Sequence, residues 1–165
     1  MHAPPTTAPG MTTTESLPRL HFDRAGSAAT ASAPNTLTIL IVDDHSSFAA
    51  LLSAALNTVP GIRCVGTAVT AADGIAMAKS LQPNIVAINI RLTSGQEGVA
   101  TTRMVKEVAP DAVVAMISAY RDPEWITRAA QAGASAFIPK TGSLSDMLDV
   151  LHRIGSRQPN AAPST

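Results

Sequence analysis

The side chains best suited to chemistry in this 165-residue chain are the adjacent carboxylates Asp43-Asp44 and three polar residues that follow apolar runs: Asn89 after Val86-Ala87-Ile88, Ser118 after Ile117, and Lys140 after Ile138-Pro139. Neighbouring carboxylates repel each other. Holding both in one place makes sense where a hard divalent cation or a cationic side chain compensates them. Lys140 would supply one positive charge, and with the Ser118 hydroxyl the set is able to hold Mg²⁺ and a phosphoryl group. Taken singly, each residue has a plainer reading. Asp44 would cap a following helix, its carboxylate accepting N–H bonds at the positive end of the helix dipole. Ser118 would bond local backbone, and Lys140 would be a solvated surface charge.

These residues work together only if the fold gathers them. From Leu37 onward, short apolar runs alternate with longer amphipathic segments, the pattern of parallel strands and crossover helices in an α/β domain. The runs predict strands at Thr38 to Val42, Ile62 to Val69, Asn84 to Ile90, Ala112 to Ser118 and Ala134 to Ile138, nearly continuous in apolar residues as strands covered on both faces should be. Helices are expected over Ser46 to Asn57, Ala71 to Leu81, Glu97 to Val108, Pro123 to Ala132 and Leu144 to Ile154. Val59-Pro60-Gly61, Gln82-Pro83 and Ala109-Pro110 stop helices, Gly133 suits a C-terminal cap, and Pro123 suits a first helical turn. Right-handed crossovers then give a doubly wound five-stranded parallel sheet of order 2-1-3-4-5. In such a sheet the functional crevice lies beyond the carboxyl ends of the strands, which is where all five polar residues fall.

Residues 1–36 hold five of the twelve prolines and no helical or strand period, and are expected to be a disordered tail whose one apolar cluster is Leu17, Leu20 and Phe22. Residues 156–165 are expected to be a flexible tail, too short and polar for a helix-turn-helix output domain. Twelve basic and twelve acidic side chains give no electrostatic reason to expect nucleic acid or an anionic membrane as partner. No apolar run approaches a membrane span, and the cytoplasm is the expected compartment. Cys64, the only cysteine, is expected to be a buried strand thiol. The chain carries no phosphate-binding G-x-x-x-x-G-K loop, no metal-ligand spacing of His or Cys and no nucleophile elbow, so it is not expected to be an enzyme.

The segments Ile39-Leu40-Ile41-Val42-Asp43-Asp44-His45, Pro60-Gly61-Ile62, Ile117-Ser118-Ala119-Tyr120 and Ala132-Gly133-Ala134-Ser135-Ala136-Phe137-Ile138-Pro139-Lys140 together resemble the receiver domain of two-component response regulators, especially the NarL/FixJ type, over residues 37–155. The resemblance implies that Asp43 and Asp44 are an acidic Mg²⁺ pair, Ser118 the hydroxyl that follows the phosphoryl oxygen, Lys140 its ionic partner and Phe137 the aromatic switch residue. It also implies a phosphorylated aspartate at the end of the third strand, where this chain has Asn89. An amide is a poor nucleophile because its nitrogen lone pair is delocalised and its oxygen neutral. Thr93 stands where the family usually has proline, in a loop one residue longer.

The expected function is therefore that of an atypical, stand-alone receiver acting by phosphorylation-independent contact with signalling proteins such as a sensor kinase or other regulators, with homodimerisation open and either no cofactor or weak Mg²⁺. Trp125, in the fourth helix, is the candidate anchor of a partner surface, with Ile126, Ala129 and Ala130 expected to form that helix's core stripe. Two alternatives stand beside this reading: a small-ligand-responsive receiver-fold sensor, and the receiver part of a DNA-binding transcription regulator. A flavin-binding relative is disfavoured, because Asp43-Asp44 would put two negative charges where a phosphate must sit.

Overall fold

The five apolar runs form five parallel strands in the computed structural model, which describes residues 36–92 and 98–157. The elements alternate throughout: β1 Leu37–Val42, α1 Ser46–Leu56, β2 Ile62–Ala68, α2 Ala71–Leu81, β3 Ile85–Asn89, α3 Gly98–Val108, β4 Val113–Ser118, α4 Pro123–Gln131, β5 Ala134–Pro139 and α5 Leu144–Gly155. The strand order is β2-β1-β3-β4-β5, as expected from right-handed crossovers.

Strand residues alternate between two faces, so a strand apolar at every position feeds two cores at once. Leu40, Val42, Val86, Ile88, Val114 and Met116 pack with Ala71 and Ala78 of α2, Val105 of α3 and Ala129 of α4. Their neighbours Ile39, Ile41, Ile85, Ala87, Ala115 and Ile117 pack with Ala49, Leu52 and Leu56 of α1 and Met147 and Leu151 of α5. The sheet is thereby covered on both sides, leaving the strand ends as the place where polar side chains can collect.

Short polar side chains set several helix starts. Thr70 Oγ1 accepts from Asp73 N at 3.1 Å, Ser143 Oγ from Asp146 N at 3.1 Å, and Asp122 Oδ1 from Glu124 N at 2.9 Å, with Pro123 in the first turn of α4. Gly133 has φ +103°, which turns the chain from α4 into β5.

Two expectations need correction. Cys64 is half-buried, because β2 is an edge strand with a neighbour on one side only; its Sγ lies 3.4 Å from Gly66 O. In α4, Ile126 and Ala130 face solvent, and the inward stripe is Trp125 with Ala129. The N-terminal segment with Leu17, Leu20 and Phe22, the Thr93 loop (residues 93–97) and residues 158–165 lie outside the described residues.

α3 starts hard against the end of β3. Gly98 N donates to Ile90 O at 3.0 Å, and a Cβ on Gly98 would run into the Asn89 carbonyl and the Ile90 Cα, backbone atoms that cannot swing aside. Gly98→Ala is therefore expected to lower unfolding free energy by about 1–3 kcal/mol in urea denaturation, the usual range for overpacking a filled site. Gly142→Ala, whose Cβ would meet only Pro139 O at an ordinary 3.4 Å, is the control expected to change stability little.

Candidate functional site

Parallel pairing aligns the carboxyl ends of the strands on one edge. Val42 pairs with Ile88, Asn89 with Ile117, and Ser118 with Pro139, so Asp43, Asn89, Ser118 and Lys140 follow one another across β1, β3, β4 and β5. Backbone bonds Asp43 N to Ala68 O (2.9 Å) and Lys140 N to Ser118 O (2.6 Å) extend the ladder just past the strands. Asp43 and Ser118 are each 1% exposed and Asn89 6%, which makes this a polar cluster sunk into the sheet edge.

The Asp43 carboxylate is compensated from three directions. Lys140 Nζ stands 2.6 Å from Oδ2, while Oδ1 accepts from His45 N at 3.0 Å and faces Asn89 Nδ2 at 3.3 Å. The lysine contact is one of charge without an aligned N–H bond to Oδ2. Lys140 is only 14% exposed, and its Nζ lies 4.5 Å from the centre of the Phe48 ring, so it is not a solvated surface charge. Asp44 Oδ1 accepts from Asn89 Nδ2 at 2.9 Å. The N-cap of α1 is His45, whose own side chain makes no cap hydrogen bond. The His45 imidazole is 72% exposed, with Nδ1 3.8 Å from Asp43 Oδ1 and 3.6 Å from Asp44 Oδ1.

Asn89 makes a third contact, donating to Arg91 O at 2.7 Å. Ser118 Oγ accepts from Tyr120 N at 3.0 Å, the local backbone bond that its plain reading anticipates. Beside the cluster opens a cleft of about 520 Å³, whose walls include Phe48, Arg91 and Tyr120, three residues with no separate role in the sequence reading. The Arg91 guanidinium lies over the Tyr120 ring, 5.4 Å from its centre. Phe48 is hidden in sequence as one apolar position of a helix, and Arg91 as one charge in a loop; their place on one cleft appears only when β3, β4 and α1 are brought together. Phe137 is half-buried on β5 and packs against the α2–α4 side of the sheet, and Trp125 packs on that side too, under the Arg128 guanidinium at 4.5 Å.

Comparison with known proteins addresses the same region. The family model described as response regulator receiver domain matches residues 39–152. The chain belongs to this receiver family. It is 30% identical over 118 residues to the response regulator protein VraR of Staphylococcus aureus, a match covering 72% of this chain and 56% of the relative; the chain thus spans little more than half the length of the curated relatives it matches. The receiver domain of the NarL regulator from Mycobacterium tuberculosis superposes with a TM-score of 0.70 at 22% identity, covering 75% of this chain and 99% of that one. A CheY-like receiver from Methanospirillum hungatei does so with a TM-score of 0.68 at 25% identity, covering 74% and 96%. Among the described residues of this receiver, no helix is long and apolar enough to cross a membrane.

A divalent cation, which the family implies, would draw on the carboxylates of Asp43 and Asp44. In the arrangement seen here their Oδ1 atoms already face the Asn89 amide nitrogen, so the donor set does not fit a cation unless that amide moves. His45 extends the acidic pair to three residues whose ligand atoms lie within 4.8 Å of one another.

Removing one partner of a buried ion pair strands the other charge, at a cost of about 3–5 kcal/mol. Lys140→Met should therefore destabilise this receiver by about 3 kcal/mol, near the lower end of that range because Lys140 keeps some exposure. Asp43→Asn in the same background should recover part of the loss. A double-mutant cycle in guanidinium showing simple additivity would mean that the contact carries no coupling.

Proposed function

We propose that this receiver signals by protein contact without aspartyl phosphorylation, the position of the phosphate-accepting carboxylate being held by Asn89. The observation that carries the reading is the side chain at the end of β3: a buried amide, 6% exposed, turned with its nitrogen toward two carboxylates. In phosphoryl transfer to a receiver, a carboxylate oxygen attacks phosphorus and the donor's leaving group departs. An amide oxygen lacks the charge for that attack. Its partners are signalling proteins, namely a sensor kinase or other regulators, and the proposal concerns the receiver itself, whatever further segments it is joined to.

The surrounding groups favour a site retained for shape. Asp43, Asp44, Ser118 and Lys140 still line one edge, and Lys140 is engaged with Asp43 where no phosphoryl group is needed to hold it. On the same reading the partner surface includes the outer side of α4, where Ile126 is 39% exposed beside the half-buried Trp125. Trp125→Ala is expected to weaken binding to a sensor kinase; an unchanged affinity with the fold intact would remove α4 from that surface.

Incubation with acetyl phosphate or a kinase, followed by intact-mass measurement, should leave the natural protein without an added phosphoryl group. Asn89→Asp should gain one, because the remaining groups of the site are in place. A stable phosphoryl adduct on the natural protein, at any residue, would overturn the proposal.

A further inference from the structure

We infer that the side-chain amide of Asn89 is a built-in substitute for the divalent cation, an internal donor that keeps the acidic pair compensated and the metal position closed. The juxtaposition is specific. Three oxygens, Asp43 Oδ1, Asp44 Oδ1 and the main-chain carbonyl of Arg91, converge on one point, and Asn89 Nδ2 occupies it at 3.3, 2.9 and 2.7 Å. Two carboxylates and a carbonyl are the donor set of a hard cation. An amide NH₂ carries only two hydrogens, so the two short contacts take them and the 3.3 Å approach to Asp43 is the weaker share. The chemistry fixes which end of the amide points inward. Turned over, its oxygen would face three acceptors with no proton among them.

Charge counting and closure make different predictions for the cation. If affinity falls only because Asn89 lacks the negative charge of a carboxylate, then deleting its side chain leaves the charge unchanged and removes one possible oxygen ligand, so binding should stay the same or weaken. If the amide closes the site, deleting it exposes both carboxylate oxygens and the Arg91 carbonyl together, and binding should strengthen. Entry of a cation into the natural protein requires the amide to break two charge-assisted or backbone hydrogen bonds and rotate. The inference deepens the reading of Asn89 given above, but it concerns metal rather than phosphoryl transfer and can fail alone.

The test is calorimetric titration of Mg²⁺ into the full chain, its Asn89→Ala variant and its Asn89→Asp variant, with circular dichroism to check the fold. Asn89→Ala is expected to bind Mg²⁺ about tenfold tighter than the natural protein, the factor set by the net worth of a hydrogen bond to a charged group. Asn89→Asp should bind tightest on either account and is the positive control; Asn89→Ser, which also removes the NH₂ group without adding charge, is expected to bind tighter than the natural protein and covers the case in which the alanine variant does not fold. In melting experiments, millimolar Mg²⁺ should raise the transition temperature of the variants and leave that of the natural protein nearly unmoved. Asn89→Ala binding Mg²⁺ no better than the natural protein, or natural protein saturating at submillimolar Mg²⁺, would overturn the inference. Absence of labelling by acetyl phosphate would be unaffected by either result.

Discussion

Two carboxylates at the end of one strand, one of them 1% exposed, are an electrostatic debt that the rest of the site must discharge. An isolated carboxylate in such a place would take up a proton or unfold the edge of the sheet. Asp43 instead has an ammonium at 2.6 Å, a main-chain N–H from the start of α1 and a share of an amide N–H from β3. Each compensating group comes from a different element. The acidic pair therefore requires β5 to deliver Lys140, β3 to deliver Asn89, and the β1–α1 turn to close tightly enough for His45 N to reach back.

That requirement explains why the polar cluster and the apolar sheet are parts of a single structure. Lys140 reaches Asp43 across the ends of β3 and β4, which lie between its own strand and β1, and its Nζ lies over the Phe48 ring of α1. Any change in strand order would carry the ammonium away from the carboxylate. Asn89 adds a dipole and no further charge, so two negative groups face one lysine and an amide donor.

Much of this was legible in the residues. Asp43, Asp44, Ser118 and Lys140 could be picked out because each is polar immediately after an apolar strand, and parallel strands place such positions together. The strand order followed from the handedness of crossovers. Other features depended on tertiary detail. In α4, Trp125 and Ile126 are adjacent, as are Ala129 and Ala130, so the sequence allows two stripes about 100° apart and only packing against β5 selects Trp125 with Ala129. Cys64 looked buried because its neighbours are apolar, but an edge strand is covered less well than a central one. Asn89 was legible as a polar residue at a strand end; its service as a donor was not, because that depends on where the Arg91 carbonyl lies relative to both carboxylates.

The central claim is that the Asn89 amide is locked between the acidic pair and the Arg91 carbonyl, and it is tested most directly by the nuclear magnetic resonance signal of that side-chain NH₂ group. Two well-separated, slowly exchanging protons, unmoved when Mg²⁺ and a phosphoryl donor are added together at millimolar concentration, are the predicted result. A pair of fast-exchanging protons at ordinary amide positions, or signals that shift and saturate with submillimolar Mg²⁺, would contradict it.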